Sequence, residues 1–171
     1  CAVVDLRRDE VVAPVQRRDP AIAELDLVLC IDTDLVPFEL VIRKQLGKYR
    51  PFFEQWLRLC KNINQAGRPV VLFGAGFGVP ANLESCVARR YFSTIHYLAL
   101  VCDGEILQAR LRQRPDWRQS SSQSFIDSQI QFNQWFRNYT ATPTLDRIDT
   151  TNAALEATLH QVTGWIQKHI L

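Results

Sequence analysis

The chain has 171 residues, of which 47% are hydrophobic and 22% charged, a composition typical of one globular domain with a sizeable core. Its formal charge of +2 is too small to indicate a nucleic-acid partner or a membrane surface. No apolar run approaches the roughly 18 residues of a membrane span and no signal peptide is visible, so we expect no membrane association and a cytoplasmic location.

The five cysteines are widely scattered and form no C-x-x-C pair. They are Cys1, Cys30, Cys60, Cys86 and Cys102. Such spacing favours small buried core residues over a disulfide framework or a zinc site. The first residue is Cys1 rather than Met, which suggests a trimmed or incomplete product.

Along the chain, residues 1–24 form a loosely patterned N-terminal arm with two prolines and little periodicity. Apolar runs then predict four strands, at 25–32, 69–74, 95–102 and 144–149. Helical spacing or helix-start residues predict five helices, at 49–67, 82–92, 104–114, 126–133 and 155–170.

This alternation predicts the fold class: a three-layer α/β domain, with a mostly parallel sheet and helices on both faces. We expect residues 25–171 to form that single domain, with an arginine-rich lid near residues 112–123.

Ligands of open parallel sheets bind beyond the carboxyl ends of the strands. That rule nominates Asp32 and Asp34, the glycine loop 74–78, Asp103, and residues 149–151. Two carboxylates two residues apart raise one another's pKa, so Asp32 and Asp34 are candidates to accept a proton from a substrate hydroxyl. The alternative is that both are solvated residues at a strand end.

The glycine loop "FGAGFGVPANLE" resembles a dinucleotide fingerprint only in part. Gly74 and Gly76 fit G-x-G-x-x-G, but Val79 stands where the third glycine belongs. We therefore interpret the loop as a tight corner, and an NAD(P)-binding oxidoreductase stays an alternative.

Arginines are concentrated in "ARLRQRPDWR". Arg110 and Arg114 are four residues apart and share a helix face, and Arg118 follows in the polar loop. Guanidinium groups suit bidentate contact with phosphate oxygens, so these three residues are candidate phosphate ligands in a lid. The alternative is a solvated helix end, where cations favour the helix dipole.

Several segments together resemble small P-loop kinases, in particular bacterial nucleoside-kinase-like proteins and small AAA-type ATPases. They are "YRPFFEQWLRLCKNINQAGRPVVLFGAG", "RRYFSTIHYLALVCDGEILQARLRQRPDWR", "FIDSQIQFNQWF" and "IDTTNAALEATLHQVTGWI". The resemblance implies ATP with Mg²⁺ as cofactors, phosphoryl transfer to a small hydroxylated substrate such as a nucleoside, Asp34 and Asp32 as catalytic residues, and Arg50 and Trp117 in substrate binding.

The chain departs from that family in one defining element. No G-x-x-x-x-G-K-[ST] motif occurs among its 171 residues, and its four lysines follow no glycine loop of that form. Either the phosphate loop lies upstream of Cys1, or the protein is a relative without it. The second case favours a non-catalytic protein that binds a ligand or partner through the same cleft.

Overall fold

The computed structural model describes residues 2–7, 29–32, 49–74, 76–115 and 120–170. Its strands are β1 (Ala2–Arg7), β2 (Leu29–Asp32), β3 (Val70–Phe73), β4 (Thr94–Val101) and β5 (Asp146–Asp149). Its α-helices are α1 (Arg50–Gln65), α2 (Pro80–Glu84), α3 (Gly104–Arg112), α4 (Gln123–Asn138) and α5 (Leu155–Ile170), and a 3-10 helix spans Val87–Tyr91.

The five strands form one sheet in the order β2-β3-β1-β4-β5. β2 runs parallel to β3 and β4 parallel to β5, whereas β1 is antiparallel to both of its neighbours, β3 and β4. It follows that β2, β3, β4 and β5 all point the same way, and that β1 alone points the other way. The described sheet is therefore mixed.

The centre of the sheet is formed by residues that the sequence assigns to a loose arm. Residues 2–7 are β1, and Val4 is paired with Leu72 on one side and Tyr97 on the other. Ala2–Arg7 contains two charged residues and precedes a charged, unpatterned stretch, and its strand conformation depends on ladders formed with residues some 70 and 90 positions away. The rest of the predicted arm lies outside the described residues.

Helices pack against both faces of this sheet. Val70, Leu72, Tyr97 and Ala99 belong to one buried cluster, which also contains residues of α1 and α4, among them Phe53, Leu57 and Phe136. Val71 and Leu98 belong to a second cluster, with Ile148 and with Trp165 of α5. Because neighbouring strand residues face opposite ways, the two clusters lie on opposite faces. Three layers for the whole domain remain a prediction, since much of the chain before α1 lies outside the described ranges.

The cysteines with described side chains are buried and free. They are Cys60, Cys86 and Cys102. Burial raises the pKa of the Cys60 thiol to about 12 and that of Cys86 to about 11. Both thiols are therefore protonated and packed as small apolar groups at neutral pH.

At the β5 edge of the sheet, Ile148 faces the core while Asp146, Arg147 and Asp149 are exposed. Trp165 of α5 donates its indole Nε1–H to the carboxylate of Asp146 at 2.7 Å, which fastens the last helix to this strand. Within the described ranges no helix is both long and apolar enough to cross a bilayer.

Candidate ligand site at the carboxyl edge of the sheet

The four strands that point the same way end at one edge of the sheet. Their last residues are Asp32, Phe73, Val101 and Asp149. Open α/β sheets bind ligands at this edge, because loops and helix starts leave a crevice there. Asp32, Gly74, Asp103 and Asp149 lie at or just after these strand ends and so share an edge, although they are spread along it.

Asp32 is separated from the arginine-bearing part of the edge by two strands. β3 and β1 lie between β2 and β4, and three intervals of about 4.8 Å separate β2 from β4 by about 14 Å across the sheet. The strand ends are farther apart still, because Asp32 is in register with Leu98 and β4 continues to Val101. The backbone of Asp32 therefore lies well apart from the β4 side of the edge, where Arg110 is held. Asp34, the other predicted catalytic acid, lies outside the described residues.

Arg110 of α3 is held against the residue that follows β5. Its Nη1 donates to Thr150 Oγ1 at 3.0 Å, and its Nη2 donates to the Thr150 carbonyl oxygen at 2.7 Å. Thr150 is itself fixed, because its backbone N–H and its hydroxyl both donate to the carbonyl oxygen of Val101, at 2.8 and 3.1 Å. The guanidinium plane of Arg110 is therefore set by two strand ends, and three of its five N–H groups remain for other partners.

Beside this pair is a pocket of about 340 Å³. Its walls are Leu100, Arg110, Thr150, Ala153, Leu155 and Thr158. Arg110 is the one charged side chain among these lining residues, and Leu155 is 70% exposed. The pocket therefore combines a fixed cation and two hydroxyls with an apolar wall, which is the usual composition of a small-molecule site.

A closed ring of polar contacts lies next to the pocket. The Asp103 N–H donates to Thr151 Oγ1 at 2.9 Å, and the Thr151 N–H donates to Asp149 Oδ1 at 2.8 Å. Arg137 of α4 completes the ring: Nη1 lies 2.5 Å from Asp103 Oδ1 and Nη2 lies 3.8 Å from Asp149 Oδ2. The ring joins the ends of β4 and β5 to α4.

The ring affects the charges of its members. The hydroxyl and the N–H of Thr151 hold the pKa of Asp149 below its usual value, and Arg137 acts in the same direction. The hydrogen bond to Asp103 raises the pKa of Arg137. Asp103 occupies the helix-start position that the sequence predicts, but its carboxylate caps no helix N–H and binds Arg137 instead.

Asn133, one turn before Arg137 on α4, fixes the backbone at the end of β4. Its Oδ1 accepts from the Cys102 N–H at 3.1 Å and its Nδ2 donates to the Cys102 carbonyl oxygen at 2.7 Å. Sequence reasoning did not nominate Asn133 or Arg137. The available signal was an amide on the same predicted helix face as Ile126 and Ile130, since a polar residue on an apolar face needs a partner.

The glycine loop is a packed turn. Gly74 has φ of 158°, and a Cβ at Gly76 would meet the Phe53 ring at 3.1 Å. Asn82 Nδ2 donates back to the Gly76 carbonyl oxygen at 2.9 Å, and Phe77 is buried. In the part of the loop that the structure describes, the Phe53 ring occupies the space beside Gly76.

The other predicted site residues are dispersed. Arg114 follows the end of α3 and is exposed, whereas Arg118 and Trp117 lie outside the described residues. Arg50 is the first residue of α1, whose Phe52 and Phe53 belong to the cluster on the sheet face opposite Leu100. The structure therefore does not bring Arg50 to the pocket beside Arg110.

Magnesium, which the resemblance to P-loop kinases implies as a cofactor, stays a prediction. Nowhere in the described ranges do three or more His, Cys, Asp or Glu side chains form a group able to hold a metal ion. The nearest carboxylates at this edge, Asp103 and Asp149, are already shared with Arg137.

Comparison of the chain with protein-family models, with curated proteins and with solved structures finds no significant match. The geometry of this edge and the sequence motifs are therefore the basis for assigning a function.

Proposed function

We propose that this chain is a kinase-like nucleotide-binding protein, and that the pocket beside Arg110 takes a phosphate-bearing small molecule. The observation that carries the proposal is the fixed Arg110 guanidinium, held by Thr150 at 3.0 and 2.7 Å in a pocket that is also lined by Leu100, Ala153 and Leu155. The three-layer α/β fold and the likeness to P-loop kinases are parts of the same proposal.

The chemistry of the walls favours a nucleotide over a simple anion. A guanidinium whose orientation is already fixed loses little rotamer entropy when it binds a phosphate or a ring edge. Leu100, Ala153 and Leu155 offer apolar surface that inorganic phosphate does not use, but that a flat nucleobase covers. Binding without transfer is the leading form of the proposal, because the Asp32 end of the edge is about 14 Å from β4.

The test is titration calorimetry of the purified chain with ATP, with and without Mg²⁺. We expect saturable heat in the wild type, and a dissociation constant at least about tenfold higher in Arg110→Gln, since a charge-assisted hydrogen bond is lost. Arg147→Gln is the matched control: it removes the same charge from β5, where Arg147 donates to the Phe136 and Tyr139 carbonyl oxygens, away from the pocket. Absence of heat with ATP in the wild type would sink the proposal.

Phosphoryl transfer to a small hydroxylated acceptor is a second candidate. It is favoured by the position of Asp32 at the same sheet edge as the pocket. The test is an ATP-to-nucleoside transfer assay. Turnover that is lost in Asp34→Asn and kept in Arg147→Gln supports transfer, and turnover unchanged in Asp34→Asn contradicts the assigned acid.

The oxidoreductase alternative has less support, because the Phe53 ring already fills the space beside Gly76. It predicts that NADH fluorescence rises on mixing with the protein. An unchanged emission spectrum at saturating protein concentration would remove this alternative.

A further inference from the structure

We propose that Thr151 and Arg137 are positioning residues that set the orientation of Arg110, although neither lines the pocket. This inference rests on the proposed function for its consequence in ligand binding, and on geometry alone for its effect on Arg110.

The polar ring of Asp103, Thr151, Asp149 and Arg137 fixes the chain segment that contains Thr150. Thr150 lies between Asp149 and Thr151, both of which are ring members. The ring therefore fixes the backbone on either side of the residue whose carbonyl oxygen and hydroxyl receive Arg110. A shift of this segment would move both acceptors of the guanidinium together.

The polar ring also holds the start of α3. Asp103 is the helix-start residue of α3, and its carbonyl oxygen accepts from the Leu107 N–H at 2.9 Å. Arg110 follows Asp103 by seven residues, which is about two helical turns and hence the same side of the helix. Arg137, by binding the Asp103 carboxylate, holds the end of the helix from which Arg110 projects.

Both sets of contacts determine the orientation of the Arg110 guanidinium. One side of the contact, Thr150, is set through Thr151 and Asp149, and the other side, Arg110, is set through Asp103. Arg137 contacts both Asp103 and Asp149, so this one side chain acts on both partners of the contact, Arg110 and Thr150. Groups that orient a ligand-binding side chain in this way commonly affect affinity without touching the ligand.

The variants separate the hydroxyl from simple packing. Thr151→Val keeps the shape and removes the acceptor for the Asp103 N–H, whereas Thr151→Ser keeps the acceptor and removes a methyl group. Arg137→Lys keeps a cation but removes the two-pronged contact and serves as a second probe if Thr151→Val does not fold. Arg147→Gln is again the control, because it removes an arginine that bonds the same end of α4 but does not belong to the ring.

The first readout needs no ligand. NMR of the guanidinium group of Arg110, assigned by its disappearance in Arg110→Lys, reports the rate of rotation about its Nε–Cζ bond. We expect slow rotation in the wild type, Thr151→Ser and Arg147→Gln, and rotation at least about fivefold faster in Thr151→Val and Arg137→Lys, which corresponds to the loss of one ordinary hydrogen bond. Equal rates in all folded variants would overturn the inference.

The second readout is the dissociation constant for ATP. We expect it to rise about fivefold in Thr151→Val and Arg137→Lys and to stay unchanged in Thr151→Ser. If the wild type binds no ATP while Arg110 rotates faster in Thr151→Val, the proposed function fails and the positioning role stands. Faster rotation with an unchanged dissociation constant contradicts the claim that this positioning serves binding.

Discussion

Individual residues decide the character of the carboxyl edge. Arg110 is exposed by its overall accessibility, yet its guanidinium is fixed by two bonds to Thr150. Gly76 owes its place to the Phe53 ring, which stands where a side chain would begin. Each case shows that the neighbour, more than the residue type, determines what a position does.

Substitution of glycine by alanine should change the free energy of unfolding in opposite directions at Gly76 and Gly164. Gly76→Ala should lower the free energy of unfolding by about 1–3 kcal/mol, because the new methyl group meets a ring confined by the buried aromatic cluster. Gly164→Ala should raise it by about 0.5–1 kcal/mol, since Gly164 lies inside α5 with nothing within 4 Å of the added Cβ. Urea denaturation of both variants checks the pair, and a change of the same sign in both would contradict it.

We expect the protein to lose stability at alkaline pH because of the buried Tyr97 phenol. Burial raises the pKa of the Tyr97 phenol, and the carboxylate of Glu84, which accepts from its O–H at 2.9 Å, acts in the same direction. A group with a raised pKa contributes stability that is complete below its unfolded pKa, about 10 for tyrosine, and is lost as the pH rises through the folded value.

The measurement is the free energy of unfolding between pH 8 and 11.5. Tyr97→Phe should show a weaker decline over this range than the wild type. Tyr91→Phe is the control, because the hydrogen bond from Arg90 lowers the pKa of Tyr91 and gives the opposite sign. A Tyr97→Phe curve parallel to that of the wild type would show that the phenol does not contribute.

At the scale of elements, α5 is fastened at one end and open at the other. Trp165 is 9% exposed and bonds Asp146, while Leu155 and Leu159, nearer its start, are 70% and 56% exposed. Trp165→Phe should cost about 1–3 kcal/mol of unfolding free energy through lost volume and the lost indole bond. Leu159→Ala should change it by no more than about 0.5 kcal/mol, and thermal melts of the two variants measure the contrast.

How far the elements could be predicted depends on how local their signal is. The strand at Val70–Phe73 and the helix at Arg50–Gln65 follow from apolar runs and spacing within the segment itself. The contacts of Asn133 and Arg137 could not be derived in this way, because their partners on β4 and β5 depend on how α4 packs across the sheet.

At the scale of the whole molecule, the first strand of the chain is the central strand of the sheet. β1 pairs with both β3 and β4, and the order of the strands makes it the link between the two halves of the sheet. The apolar runs predict the four strands that share a direction but not β1, because Ala2–Arg7 contains two charged residues and is followed by a charged, proline-containing stretch without periodicity.

The link can be tested with proline. Val4→Pro removes a ladder N–H at a position flanked by Leu72 and Tyr97, and we expect a loss of about 3 kcal/mol or more of unfolding free energy. Hydrogen exchange should accelerate in both β3 and β4. Val4→Ala is the control for the side chain alone, and unchanged protection in β3 and β4 of Val4→Pro would contradict a central β1.

The exposed charges of β5 bear on how separate copies of the molecule meet. An unpaired strand margin is a template on which a second chain can add its own strand, and natural proteins discourage such growth with charge. Asp146, Arg147 and Asp149 supply both signs within four residues, so an incoming strand would have to strip water from them before its backbone could dock. Their replacement by threonine or valine would remove this charge barrier as well as the bonds to Trp165, α4 and the polar ring, and we expect thioflavin T fluorescence to show faster fibril formation than in the wild type.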